Sequence, residues 1–258
     1  MFLLEIFILF IVFTKDILAA PSIDNSTATT ANFATINVLS VGQTTTAVIG
    51  DSNNSNTAGI RVIDDIGAGW DATMAVTNLT IKNNAKTLFG NNSTVNFTGV
   101  YDGLHGVLAG GGTFTVEITT GGSVGAALFK WTDPSGVQTT NVTTGASVIL
   151  SNGITANFNP ATYIAGDKWS IGVDVLPYTG LTVTPSNIYA EVGTLDGLTV
   201  GGEETLIGSG ITSNSKTIMT ASSSNGIGTY WQDLNLRLNV HSRPLSGNFD
   251  GTVTLTIL

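Results

Sequence analysis

The chain has 258 residues, of which 42% are hydrophobic and only 10% are charged. Eighteen acidic and nine basic residues give a net charge of −9, which argues against a nucleic-acid partner because phosphate binding needs a basic surface. There is no cysteine in the sequence, so disulfides, thiolate metal sites and a cysteine nucleophile are excluded. The many Thr, Asn and Gly residues are typical of strands joined by tight turns.

The first twenty residues contain an apolar run, 6–13, that is much shorter than the roughly 20 residues of a membrane-spanning helix. Polar residues at 14–16 and the pair Ala19-Ala20 come after it, which predicts a secretory signal peptide over 1–20. The chain is then secreted, and it contacts a membrane only through this segment before processing. In the alternative interpretation the segment, with Glu5 inside it, is similar to the start of mature type IV pilins and is retained.

A polar linker, 21–33, leads into strand-like alternation that begins with Ala34, Ile36 and Val38. No tight hairpin joins this stretch to the next strand pattern. It can therefore pair within its own sandwich or with the open sheet edge of another copy, which is strand addition. Ala34, Ile36 and Val38 form the candidate assembly strand in the second case, and self-association into a polymer is the partner that it predicts.

The clearest strand signals are two alternating stretches, 230–240 and 252–258, with apolar residues on one side and Asn, Arg or Thr on the other. Two neighbouring strands of this kind need a second sheet to bury their apolar face. The sequence therefore predicts an all-β fold, a β-sandwich of Greek-key or jelly-roll type. Residues 34–100 and 177–258 are assigned to it.

Residues 101–176 are predicted to form a small inserted β module. The stretch 113–118 alternates cleanly, and the turn signal Asp-Pro-Ser-Gly at 133–136 is succeeded by further strand patterns up to residue 175. Glycines at 103–112 and Pro177 at the other end mark suitable entry and exit points for an insertion in a surface loop.

The outer segments contain several distinctive motifs, Gly-Ala-Gly-Trp at 67–70, Thr-Asn-Leu-Thr at 77–80, Leu-Arg-Leu-Asn-Val at 236–240 and the stretch 245–258. Together these motifs resemble the WxL-like domains of bacterial surface proteins. The resemblance covers about 30–98 and 180–258 and implies a β domain at a cell surface. No Trp has Leu two positions later, so the peptidoglycan-binding role of that family is not carried over. The middle segment, with Ala-Gly-Asp-Lys-Trp at 165–169, resembles small β modules of bacterial surface and phage-tail proteins.

The sequence predicts no catalytic residue and no cofactor. His105 and His241 lie in Gly- or Pro-containing connections without a motif around them. The carboxylate pairs 64–65 and 203–204 are interpreted as solvated turns, because neighbouring strand residues point to opposite faces. Oxygen-bearing residues at 51–55 have the alternate spacing of a calcium loop, but Asn56 and Val62 stand where such a loop needs Gly and Glu. Calcium is therefore allowed without being assigned.

Aromatic residues are the remaining candidates for a binding surface. Tyr230 and Trp231, at the start of a strand, are the candidate exposed aromatics that could stack on a sugar, with core packing as the alternative. The leading hypothesis is a secreted, non-enzymatic structural protein that forms a filament, fibre or surface layer. The second is an adhesin or carbohydrate-binding module in contact with glycan or cell wall.

Overall fold

The computed structural model describes residues 9–13, 21–24, 33, 43–50, 59–82, 86–89, 94–102, 112–240 and 247–258. These ranges contain strands and one short 3-10 helix, Tyr178–Gly180, and the prediction of an all-β sandwich is confirmed. None of the helical structure in them is long and apolar enough to cross a membrane. In chain order the strands are β1 Leu9–Phe13, β2 Ser22–Asp24, β3 Gln43–Ile49, β4 Ile60–Asp64, β5 Trp70–Val76, β6 Leu79–Lys82, β7 Lys86–Phe89, β8 Val95–Thr98, β9 Gly112–Thr120, β10 Gly122–Ser123, β11 Leu128–Thr132, β12 Gln138–Thr143, β13 Val148–Ile149, β14 Thr155–Phe158, β15 Thr162–Tyr163, β16 Lys168–Leu176, β17 Leu181–Pro185, β18 Tyr189–Gly193, β19 Leu198–Val200, β20 Glu204–Thr205, β21 Lys216–Ala221, β22 Gly228–Gln232, β23 Leu234–Val240 and β24 Gly251–Ile257.

The larger of two sandwiches has a five-stranded sheet on one side, in the order β1-β24-β5-β21-β19. Opposite it lie two four-stranded sheets, β20-β17-β23-β3 and β18-β22-β4-β2. The second of these continues the first, because β3 leads into β4, β17 into β18 and β22 into β23. The two four-stranded sheets therefore form one bent layer.

The bend in that layer occurs at Asp233, the single residue between β22 and β23. Its backbone N–H donates to Oγ of Ser186 at 3.0 Å, and the Ser186 N–H donates to the Asp233 carbonyl at 2.9 Å. Gly59, at φ +107°, faces the same point, and a Cβ there would lie 2.8 Å from Oδ1 of Asp233. Only glycine tolerates this backbone conformation and this close approach together.

The core of the larger sandwich is filled by the apolar residues of the alternating strand patterns. In β23, Leu234, Leu236, Leu238 and Val240 are buried and the residues between them are exposed. Each such side chain contributes about 1.5–3 kcal/mol when it is removed from water. The expectation that the last two strands are neighbours is wrong, however. β23 lies in the bent layer and β24 in the five-stranded sheet, so their apolar sides meet across the core.

The smaller sandwich has its own core. A six-stranded sheet, β12-β11-β9-β16-β6 with β7 also paired to β16, faces the three-stranded sheet β13-β14-β8. Between them a chain of aromatic rings runs from Phe129 through Phe158 and Tyr163 to Trp169, with centroids 4.8, 5.5 and 5.9 Å apart. Offset and edge-to-face contacts at these separations add to the energy of burial.

The smaller sandwich begins earlier in the chain than residue 101, which corrects the predicted boundary. β8 pairs with β14, and its Val95 and Phe97 are part of the smaller core. The two sandwiches are joined by an antiparallel ribbon of β6 and β16, in which Leu79 is opposite Leu176 and Lys82 is opposite Val173. Leu79 and Leu176 belong to the larger core and Val173 to the smaller one. The insertion therefore spans approximately 83–172.

Candidate functional site

In the two carboxylate pairs predicted from the sequence, the carboxylates contact other groups of the fold and do not act together. Asp64 is buried, and its Oδ1 and Oδ2 accept hydrogen bonds from the backbone N–H groups of Ile66 and Gly67 at 2.9 and 3.1 Å, while its neighbour Asp65 is exposed. Opposite orientation is what strand geometry predicts for adjacent residues. Asp64 closes a turn in this way, and the pair has no geometry for acid–base catalysis.

Glu203 and Glu204 are likewise engaged separately. Glu203 accepts a hydrogen bond from the Thr184 hydroxyl at 3.0 Å, and Glu204 forms an ion pair of 2.9 Å with the buried ammonium of Lys216. The Glu204 partner compensates a buried cation that would otherwise be costly. The two carboxylates thereby link β20 and the residue before it to β17 and β21.

Glu117 on β9 lies between two lysines of the adjacent strands. Its two oxygens are 3.2 Å from Nζ of Lys130 and 3.3 Å from Nζ of Lys168. Burial on its own would raise the pKa of Glu117, but the hydrogen bonds and charges of the two lysines hold that pKa below its usual value. This three-residue network fastens the centre of the six-stranded sheet.

Tyr230 and Trp231 do not form an exposed platform, which corrects the sequence-based assignment. Tyr230 is 0% and Trp231 5% exposed, because β22 is an inner strand between β18 and β4. The outward-facing indole is covered by Arg61, whose guanidinium carbon is 5.5 Å from the ring centroid. Its Nε1–H donates to Oε2 of Glu191 at 2.8 Å, and the same oxygen is 3.2 Å from Nε of Arg61. Tyr230 packs in the larger core, as the alternative interpretation has it, whereas Trp231 is buried on the outer side of the sheet.

A cleft of about 450 Å³ lies at the junction of the two sandwiches. Lys82 at its wall donates from Nζ to the Phe97 carbonyl at 2.8 Å, and burial raises the pKa of Asp250. The amide nitrogen of Asn78, another lining residue, has no hydrogen-bond partner within the described ranges. Among the described residues that line the cleft there is no Ser, His or Cys that could act as a nucleophile with a base.

The outer edge of β24 is the other unusual feature of the larger sandwich. On its inner side β24 pairs with β5 in the antiparallel sense, from Val253 opposite Val76 to Ile257 opposite Ala72. On its outer side it pairs in parallel with β1, from Leu9 beside Gly251 to Phe13 beside Leu255. This edge therefore accepts a strand from a segment remote in the sequence, and the alternation within 252–258 gave no indication of it.

The remaining sequence-based candidates lie outside the described residues. These are the assembly strand with Ala34, Ile36 and Val38, both histidines, His105 and His241, and the Asx-rich loop 51–55. Within the described ranges, no group of three or more His, Asp or Glu side chains could hold a metal ion. The acidity of the chain allows calcium, and no site for it is assigned.

No family model and no curated protein matches the chain. Among solved structures the chain is similar to the VP16-VP17 complex, a complex of the two major capsid proteins of bacteriophage P23-77. The sequence identity is 10% and the TM-score 0.14, over 77% of this chain and 100% of that chain. A TM-score this low carries no argument about function. The resemblance to WxL-like domains stays a prediction.

Proposed function

We propose that this protein is a secreted structural subunit without enzymatic activity, and that it polymerises by strand addition into an extracellular filament, fibre or surface layer. The observation that supports this best is the parallel pairing of residues 9–13 with the outer edge of β24. An edge that accepts a remote strand supplies backbone hydrogen bonds to whichever segment lies beside it, and such edges are a common route to association between chains.

The structural use of the charged groups supports the same proposal. The carboxylates of Asp64, Glu117 and Glu204 serve turns and ion pairs inside the sheets. The proposed role is completed by export through the N-terminal apolar segment, which stays on the chain as in the pilin-like interpretation. It also includes a place at the cell surface, which the WxL-like resemblance implies.

Electron microscopy and sedimentation of the purified full chain, taken over a range of protein concentrations, test this proposal. We expect ordered polymers whose amount rises with concentration. Monodisperse monomers at every concentration would contradict it.

The alternative is an adhesin or carbohydrate-binding module. Burial of Trp231 removes the aromatic candidates on which it rested, and the junction cleft with Asn78, Lys82 and Asp250 is the feature that now favours it. Polar groups around a concave site are typical of small-ligand binding. Glycan binding by the monomer that is lost in a Lys82→Ala variant, with folding unchanged, would support this alternative.

A further inference from the structure

β1 pairs with the rest of the chain differently from the other strands. Each of the other strand pairs in the described part of the chain is antiparallel, whereas β1 and β24 are parallel. A hairpin cannot connect parallel neighbours. Residues 14–21 link β1 to β2, which pairs with β4 in the facing bent layer. β1 and the next strand in the chain, β2, thus lie in different layers of the larger sandwich.

The sequence of β1 is unsuited to the edge of a single sandwich. All five residues, Leu-Phe-Ile-Val-Phe, are apolar, whereas β24 alternates Thr with Val, Leu and Ile. Successive residues of a strand point to opposite faces, so an uninterrupted apolar run is typical of strands that are covered on both faces. In the described part of the chain, the sheet that contains β1 faces the bent layer on one side. A strand that is apolar on both faces therefore calls for a second covering surface.

We propose that the outer edge of β24 takes β1 from a second copy of this chain, and that the body of that copy supplies the missing cover. This inference rests on the proposed function. It identifies β1 as the donated strand and the outer edge of β24 as the edge that accepts it. The backbone hydrogen bonds are the same whether β1 comes from its own chain or from another. Exchange is therefore opposed mainly by the concentration advantage of the tethered strand. A head-to-tail exchange does not close on itself and extends as a filament.

The segment with Ala34, Ile36 and Val38 is a poorer donor than β1. Phe33, directly before it, is 6% exposed and belongs to the larger core, and β3 begins at Gln43 shortly after it. A segment that is held to its own sandwich at both flanks loses more conformational freedom when it reaches a neighbouring molecule. This places the donor strand at residues 9–13.

Cysteine cross-linking tests the inference, because the chain contains no native cysteine. Val12 of β1 and Thr254 of β24 are register partners. Adjacent strands are about 4.8 Å apart, within the range of Cα separations that a disulfide spans. Two full-length proteins, one carrying Val12→Cys and the other Thr254→Cys, are mixed and oxidised under the conditions that give polymers. We expect a disulfide-linked heterodimer on a non-reducing gel.

The matched control replaces the acceptor cysteine with Thr199→Cys. Thr199 is exposed on β19, at the opposite edge of the same sheet. We expect at least about tenfold less heterodimer with this control, a difference that corresponds to about 1.4 kcal/mol. The double variant Val12→Cys/Thr254→Cys should give a ladder of linked multimers.

Three results would overturn the inference. One is a double variant that closes only within its own chain, and another is polymer whose intact mass shows that residues 1–20 have been removed. The third is binding of the protein to phosphatidylcholine vesicles with no heterodimer, which would make a membrane the cover of β1. Polymers without the cross-link would leave the proposed function standing and refute this edge. A cross-linked dimer without polymers would support strand exchange at this edge and refute the proposed function.

Discussion

At the scale of single residues, the face of β22 that points away from the core shows how the chain uses its few charged groups. Trp231 lies beneath Arg61 and donates to Glu191, so an indole on the outer side of the sheet is nevertheless 5% exposed. A guanidinium over an indole face contributes about 0.5–2 kcal/mol, depending on how far it is desolvated. The arrangement stabilises the bent layer and leaves no aromatic surface for a ligand.

Replacing this indole therefore tests a structural role. We expect Trp231→Ala to lower the free energy of unfolding by about 3–5 kcal/mol, because it removes a large buried ring and leaves Arg61 and Glu191 without their shared partner. Urea denaturation monitored by circular dichroism measures the loss. Tyr189, the register partner of Trp231 on the edge strand β18, is 40% exposed and gives the matched control. Tyr189→Ala should cost less than about 1 kcal/mol. Equal losses in the two variants would show that Trp231 is not a packing residue.

The carboxyl of Asp250 in the junction cleft predicts a dependence on pH. Asp250 as a whole is exposed, but partial burial of its carboxyl in the cleft raises its pKa above the ordinary value of 3.8, so the ionised carboxylate is slightly penalised in the folded state at neutral pH. The penalty is relieved as the pH falls through the folded-state pKa, and it has gone below the unfolded-state value.

Asp250→Asn should consequently unfold at a higher urea concentration than the wild type at about pH 7, and the difference should vanish at about pH 3. Asp102→Asn, at the other carboxylate that lines the same cleft, is the control and should shift stability by less than about 0.5 kcal/mol. A variant that is less stable than the wild type at neutral pH would mean that the Asp250 carboxylate is stabilised by a partner.

At the scale of secondary-structure elements, alternation in the sequence predicted where strands run but not which strands pair. The patterns at 113–118, 236–240 and 252–258 correspond to β9, β23 and β24, because one dry face and one wet face impose a period of two. The same period is found in either layer of a sandwich. It could not tell that β23 and β24 face each other instead of pairing.

The acceptor edge was missed for a related reason. Pairing of residues 9–13 with 251–255 joins the two ends of the described chain, and no local pattern specifies contacts at that separation. Length and flanking residues, the criteria for the apolar run 6–13, distinguish targeting segments from membrane spans. These criteria do not test whether the run forms a β-strand. The burial of Trp231 was also hidden, since it depends on Arg61 and Glu191 from two other strands.

The ribbon of β6 and β16 predicts where the smaller sandwich can be removed. Lys82 and Val173 are opposite each other, so replacing 83–172 with a Gly/Ser linker of about four residues closes an ordinary hairpin. We expect the remaining chain to fold, with strand-type circular dichroism and cooperative thermal unfolding.

Removing 101–176 in the same way is the matched comparison. That deletion keeps Val95 and Phe97 of β8 but removes β14, their pairing partner, and it also removes Leu176 from the larger core. It leaves apolar side chains and an open sheet edge exposed, so we expect aggregation. If the second deletion folded and the first did not, the division between the sandwiches would have to be placed later in the chain.

At the scale of the whole molecule, the two separate cores predict two cooperative units. The β6 and β16 ribbon joins them, and the cleft of about 450 Å³ lies at their junction. Cooperativity between units depends on the interactions lost when one unfolds alone. Backbone hydrogen bonds between Thr80 and Asp250 attach the ribbon to the larger sandwich just before β24 begins.

Differential scanning calorimetry should accordingly resolve two transitions, and core truncations should move them one at a time. Phe114→Ala empties part of the smaller core and Trp70→Ala part of the larger one, at 0% and 3% exposure respectively. Each costs about 3–5 kcal/mol, which corresponds to a fall of roughly 10 °C or more in the Tm of a unit of this size. Phe114→Ala should lower one transition and leave the other in place, and Trp70→Ala should do the opposite. A single transition that both variants shift equally would show that the ribbon couples the two sandwiches into one cooperative unit. In that case the larger sandwich should not stay folded after 83–172 is removed.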